Sequence, residues 1–169
     1  MRLTPERSEH EPRSAGPKLA WLNTVPAAEA EEVLLRCCGS RRWAARVAAH
    51  RPYPDHEALL AASDEACYDL TFADLAEALA EETAHHPLSD QPGTPAAHMA
   101  LRAAHAAYES RFGHAFLVCL DGYAAEERMD QALASVRVRL GNEVEREWDV
   151  TADELRALTR ARLTHLLRS

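Results

Sequence analysis

The 169-residue chain carries 19 Lys+Arg against 27 Asp+Glu, a formal net charge of -8, with 6 glycines and 6% aromatic residues. That balance argues against a nucleic-acid binder held by phosphate contacts, and no basic cluster reverses it. No apolar run is long enough to span a membrane, and an alanine-rich, aromatic-poor chain of this length suits one all-α domain with its own core.

Residues 1–18, "MRLTPERSEHEPRSAGPK", are charged and proline-rich with no apolar segment. They read as a disordered tail rather than a secretory signal, ahead of a single domain over 19–169. Asn23-Thr24 and Pro26 open a helix through "AAEAEEVLLRCC" that stops at Gly39. Ser40 opens the next, ending before Pro52, and Pro54-Asp55 precedes a short helix through Leu59 and Leu60. Thr71-Phe72-Ala73-Asp74 reads as a capping box for "FADLAEALAEETAHH". Thr94-Pro95 opens "AAHMALRAAHAAYESRF", which Gly113 closes. "AFLVCL" at 115–120 is short, uninterrupted and apolar, and predicts a buried extended segment. "AAEERMDQALASVRVRL" is the next helix, and Thr151-Ala152-Asp153-Glu154 is a capping box for the last. The expected architecture is a compact all-α bundle of about seven or eight helices.

Cys37, Cys38, Cys67 and Cys119 form no CxxC pair and predict reduced thiols in a cytoplasmic protein. His98 and His105 are seven residues apart, too far for one metal to join directly, and no HxxxH or HExxH spacing occurs, so no metal is expected. P-loop, GxGxxG and GxSxG signatures are missing as well.

Two residues break their own pattern. On the last helix Leu155, Leu158, Thr159 and Leu166 form one stripe at about 100° per residue, and Arg162 falls in the middle of it. A guanidinium cannot shed its charge, so Arg162 forms an internal salt bridge, snorkels to the rim, or meets the carboxylate of a ligand. Leucine at 162 would continue the stripe and is expected to fold. In "FADLAEALAEETAHHP" the stripe Phe72, Leu75, Ala76, Leu79 extends to His86, whereas His85 is rotated away. Proline at 87 pushes His86 out of helical geometry at the helix end. The helix dipole there favours imidazolium and burial opposes it, so His86 is either a satisfied core histidine or a group titrating near neutrality.

Taken together, "WLNTVPAAEAEEVLLRCCGSRRWAARVAAHRPY", "AHHP", "AAYESRFGHAFLVC", "VRVRLGNEVEREW" and "ELRALTRARLTHLL" resemble the OHCU decarboxylase family over about residues 20–168. "YESRFGHAFLVC" is the most specific piece, joining a helix end, a glycine turn and an extended segment in fixed order. Members decarboxylate 2-oxo-4-hydroxy-4-carboxy-5-ureidoimidazoline to (S)-allantoin, the last step from urate. The resemblance implies a compact all-α fold, commonly a homodimer, acting on a small-molecule substrate without a cofactor. It places the catalytic histidine at His86, in His86-Pro87, and the C-terminal arginine at Arg162, in Arg162-Leu163. It also implies that Pro87 and the backbone of Phe116, Leu117, Val118, Cys119 and Leu120 hold the substrate.

The chain departs from the family in its linker. "LSDQPGTPAAHMALRAAHAAYE" is shorter, and no glutamate lies between His86 and Glu109, where the family has a Glu-Gln pair. His98 falls near the place where that pair aligns, and Asp90 or Gln91 are alternatives. A second reading follows: a relative that binds another small ureido or imidazolone acid without this turnover.

Overall fold

The computed structural model describes residues 16–83 and 91–169. Among these residues there are eight α-helices and no strand, the all-α architecture expected from the sequence. In chain order they are α1 Pro17–Thr24, α2 Ala27–Leu35, α3 Arg41–Ala49, α4 His56–Tyr68, α5 Phe72–Thr83, α6 Pro95–Phe112, α7 Arg128–Arg139 and α8 Val144–Arg168.

The punctuation works largely as read. Ser40 Oγ accepts from the Trp43 N–H at 3.2 Å, and Asp55 Oδ1 from the Ala58 N–H at 2.8 Å. Thr71 and Asp74 bond reciprocally, the Asp74 N–H to Thr71 Oγ1 at 3.3 Å and the Thr71 N–H to Asp74 Oδ2 at 2.9 Å. These side chains satisfy amide donors that a helix start leaves unpaired. Thr94 caps α6, with Pro95 in its first turn. Gly113, at φ 77°, ends α6 in the left-handed region that only glycine enters without strain.

Several boundaries differ from expectation, among them the end of α2 at Leu35 rather than beyond Cys38 and the start of α7 at Arg128 rather than Ala124. Helix α1 begins at Pro17, so Pro17 and Lys18 belong to the folded chain rather than to the tail; Leu19 and Leu22 anchor it in the core. Helix α4 has 13 residues and is not short. Helix α8 starts seven residues before Thr151, which is therefore interior and fully buried instead of an N-cap. The capping-box pattern misled because the Thr151 hydroxyl serves a buried polar knot.

The main core gathers α1 to α5 and α8 around Trp43, Leu34, Leu59, Leu79, Leu155 and Leu163. Phe72, placed on the apolar stripe of α5 by its spacing, is 64% exposed and meets Trp148 in a tilted contact at 4.4 Å between ring centroids. Helices α6 and α7 pack together over two smaller clusters, one with Leu101, Met129 and Leu133, the other with Tyr108, Phe112 and Val136. Residues 115–120 run between these bodies. Leu117 enters the main core, while Phe116, Val118 and Leu120 enter the two smaller clusters. Side chains that alternate in this way mark an extended chain.

A polar knot fixes that segment from behind. Arg139, from the last turn of α7, donates from Nε to Glu147 Oε1 of α8 at 2.7 Å, with Nη2 in ion-pair contact with the same oxygen at 2.6 Å, and donates from Nη1 to the Leu117 carbonyl. Tyr108 Oη donates to the same carboxylate at 2.5 Å, and Asn142 Nδ2 to its other oxygen at 2.8 Å. Burial by itself would raise the Glu147 carboxyl, but its donors Arg139, Tyr108 and Asn142 outweigh it and hold the group below its usual 4.5. The depressed value fixes the sign of the linkage. Glu147 contributes stability that is fully present above its unfolded value and is lost as pH falls through the folded one. Acid unfolding followed by circular dichroism should therefore steepen below about pH 4.5. In Glu147→Gln that acid limb should flatten while stability at pH 7 falls; a limb unchanged by the substitution contradicts this role.

Candidate active site

A cavity of about 520 Å³ opens where the C-terminal ends of α2, α5 and α8 meet residues 115–121. Val33, Arg36 and Cys37 form one wall, Glu82 and Gln91 another. Leu158, Ala161, Arg162, His165 and Leu166 of α8 form a third, and Arg128 stands at the start of α7. The volume lies within the roughly 300–1,000 Å³ typical of small-molecule sites.

Helix α8 presents two parallel rows. Leu155, Thr159, Leu163 and Leu167 are buried in the core. Leu158, Arg162, His165 and Leu166 are turned to the cavity edge, which is how a charged residue can occupy an otherwise apolar stripe. Arg162 is paired there. Its Nη1 donates to Glu82 Oε1 at 2.5 Å and its Nη2 to Glu82 Oε2 at 2.9 Å, a two-pronged contact, and Nη1 also donates to the Cys37 carbonyl at 3.2 Å. Of the three fates open to Arg162 in the sequence, the internal salt bridge is present, yet 29% of its side chain stays exposed to the cavity, against 8% for Glu82. Hydrogen bonding to Glu82 raises the guanidinium above its already high pKa despite burial, so the cation is permanent.

Glu82 was not among the residues singled out from the sequence, and its signal was there. It lies three residues after Leu79 and seven after Leu75, on the buried stripe of α5. An acid there and a base on the stripe of α8 are each costly alone and mutually satisfied together. Gly39 lets α5 come close: a Cβ there would lie 2.7 Å from Cβ of Glu81.

The floor of the cavity is the 115–120 segment expected to hold substrate. Phe116, Leu117, Val118, Cys119 and Leu120 all line it. Their backbone is not uniformly open. The Leu117 carbonyl accepts from Arg139, the Leu120 carbonyl from the Tyr123 N–H at 3.2 Å, and the Cys119 N–H donates to Glu154 Oε2 at 2.6 Å. The N–H and C=O of Phe116 and of Val118 have no hydrogen-bond partner among the described residues. Cys37 and Cys119 also face the cavity; burial pushes the Cys37 thiol up to about 11 against the opposing pull of Arg162, and raises Cys119 too, so neither is a ready thiolate.

The linker candidates separate. Gln91 lines the cavity. His98 does not line it; its ring stands beside Gly93, at the start of α6. His86, Pro87 and Asp90 lie outside the described residues. All four cysteines are free, as expected, and no helix among the described residues is long and apolar enough to cross a membrane.

Comparison with known proteins bears on this arrangement. The family model for OHCU decarboxylase matches residues 23–164. Among solved structures, an OHCU decarboxylase crystallised in the presence of (S)-allantoin superimposes with a TM-score of 0.68 at 21% identity, over 82% of this chain and 99% of the other. An (S)-allantoin synthase gives a TM-score of 0.65 at 20% identity over 88% of this chain, which spans only 53% of the synthase. At such identities these two likenesses speak for the fold alone. No curated protein is significantly similar in sequence. With the family model covering most of the chain, from α1 to the last turns of α8, the protein belongs to the OHCU decarboxylase family.

Proposed function

We propose that the chain decarboxylates 2-oxo-4-hydroxy-4-carboxy-5-ureidoimidazoline to (S)-allantoin, a step of urate breakdown, using no cofactor. Family membership supports the reaction class, and the two allantoin-related structural neighbours agree with it. The observation that carries the reading is a permanent cation, Arg162, facing a small-molecule cavity whose floor offers backbone groups of Phe116 and Val118 that have no partner among the described residues. A planar, amide-rich acid matches that combination.

Decarboxylation needs a place for the electron pair of the breaking C–C bond. The substrate supplies one, a ring C=N beside the carbon that bears hydroxyl and carboxylate. As CO2 leaves, the pair moves into that C=N and the ring nitrogen takes up a proton. The hydroxyl carbon then becomes a carbonyl as its O–H proton departs, and the neighbouring carbon is protonated on one face. The net change is loss of CO2 and gain of one proton by the anionic substrate.

Arg162 would orient the carboxylate, and His86 would handle the hydroxyl proton as general acid/base, with Pro87 beside it. Chain connectivity favours His86 for this. In sequence it follows Glu82 by four residues and precedes Gln91 by five, and both of those residues line the cavity. Gln91, which lines the cavity, would be the linker residue that contacts substrate, whereas His98 would act only from outside the cavity wall.

The test is circular dichroism of allantoin formed from freshly generated substrate. The wild-type chain should give a one-handed signal faster than spontaneous decay. His86→Ala should lose about 10²–10⁴-fold in rate with its helical spectrum intact. No rate above the spontaneous background would instead favour a relative binding another ureido or imidazolone acid, and full activity in His86→Ala would remove that histidine from the mechanism. The homodimer and the cytoplasmic location belong to the same proposal, resting on the family likeness and the reduced cysteines.

A further inference from the structure

The contact between Glu82 and Arg162 leaves part of the guanidinium unused. Arginine has five N–H donors. Glu82 takes one from Nη1 and one from Nη2, and the Cys37 carbonyl takes the second from Nη1. The Nε–H and the outer Nη2–H have no partner among the described residues. They lie on the same edge of the planar group, parallel to each other, which is the side-on geometry for a second carboxylate.

That arrangement has a consequence for a decarboxylation. The negative charge of the substrate carboxylate disappears as neutral CO2 forms, so whatever stabilises that charge in the bound substrate is lost on the way to the transition state. An unpaired arginine in a small pocket would hold the anion tightly and raise the barrier. A buried carboxylate bonded to the same guanidinium subtracts most of that attraction and leaves the directional N–H groups in place.

We propose that Glu82 is a positioning residue that fixes Arg162 edge-on to the cavity and mutes its charge, so that the carboxylate of a ureido-imidazoline acid is aligned without being strongly stabilised. This rests on the decarboxylase reading above and adds a residue from the N-terminal side of the linker. Glu82→Gln keeps the shape and one hydrogen bond to Arg162 while removing the charge.

Two measurements test it. In steady-state decarboxylation, Glu82→Gln should lower KM and kcat together, each by about tenfold, the pattern of an enzyme that has begun to over-stabilise its bound substrate. In calorimetric titration, the variant should bind hydantoin-5-acetate, an anion, about tenfold more tightly than wild type does. Its affinity for (S)-allantoin, which lacks the carboxylate, should stay within about twofold. A merely structural glutamate would weaken both ligands and raise KM. Anion affinity unchanged or reduced in Glu82→Gln overturns the proposal even if wild type turns over. A wild type that does not turn over would sink the decarboxylase reading, and the titration would still decide the charge-muting role. Glu82→Ser, with space for water under Arg162, is the second variant should the amide fail to fold; the same results are expected of it.

Discussion

Arg162→Lys is expected to lower kcat/KM on the ureidoimidazoline acid by about 10²–10³-fold while the far-ultraviolet spectrum remains helical. Lysine preserves the charge and can still meet Glu82, so the buried carboxylate is not abandoned. It cannot offer two parallel N–H groups to Glu82 and two more to a ligand. Arg162→Leu should behave differently. Leucine continues the apolar stripe of α8, and by pattern alone it should be tolerated, but it strands Glu82, whose side chain is only 8% exposed. Breaking a buried pair on one side costs about 3–5 kcal/mol. The single leucine variant should therefore be inactive and markedly destabilised, and adding Glu82→Leu should recover stability without activity. Chemical denaturation of both variants beside the kinetic assay checks this. A single variant as stable as wild type would mean that Glu82 finds another donor.

Arg139→Met should be the most destabilising single substitution away from the cavity, at about 3–5 kcal/mol, or roughly 10 °C in Tm. Methionine fills much of the space but leaves Glu147 fully buried without its cation and the Leu117 carbonyl without its donor. Because Leu117 belongs to the cavity floor, any folded fraction should also bind ligand more weakly. Thermal melts followed at two wavelengths test the first effect and calorimetry the second. Arg139→Met/Glu147→Leu should regain part of the stability and none of the floor geometry. A melting temperature near wild type in the single variant would show that the knot contributes little.

Much of the fold was legible because its helix boundaries are written in local chemistry. Ser40, Asp55, Thr71 with Asp74, and Thr94 each cap the helix that follows, and Gly113 ends α6. Local rules failed where a long-range demand overrode them. Thr151-Ala152-Asp153-Glu154 fits a capping box, yet Thr151 is held inside α8 by its bond to Arg139 across the knot, and Glu154 reaches Cys119 instead of turning back. Pro17 opens α1 although composition assigned it to a tail, because Leu19 and Leu22 are buried just beyond it.

The candidate site was half legible for the same reason. Arg162 stood out as a charge on an apolar stripe, but naming its partner required knowing that the ends of α5 and α8 converge, 80 residues apart in sequence. Glu82 breaks the stripe of α5 in the same way and passed unremarked among its acidic neighbours Glu77 and Glu81. The linker alternatives could not be ranked from sequence because a loop has no periodicity to read; the fold brings Gln91 to the cavity and leaves His98 aside.

One measurement bears most directly on the claim that this cavity binds the carboxylate-bearing substrate. It is a crystal structure of the protein soaked with hydantoin-5-acetate. The ligand carboxylate should lie within hydrogen-bond distance of Arg162 Nε and Nη2, with the ring amides on the backbone of Phe116 and Val118. A ligand seated elsewhere, or a cavity left empty at concentrations where calorimetry reports saturation, would contradict it.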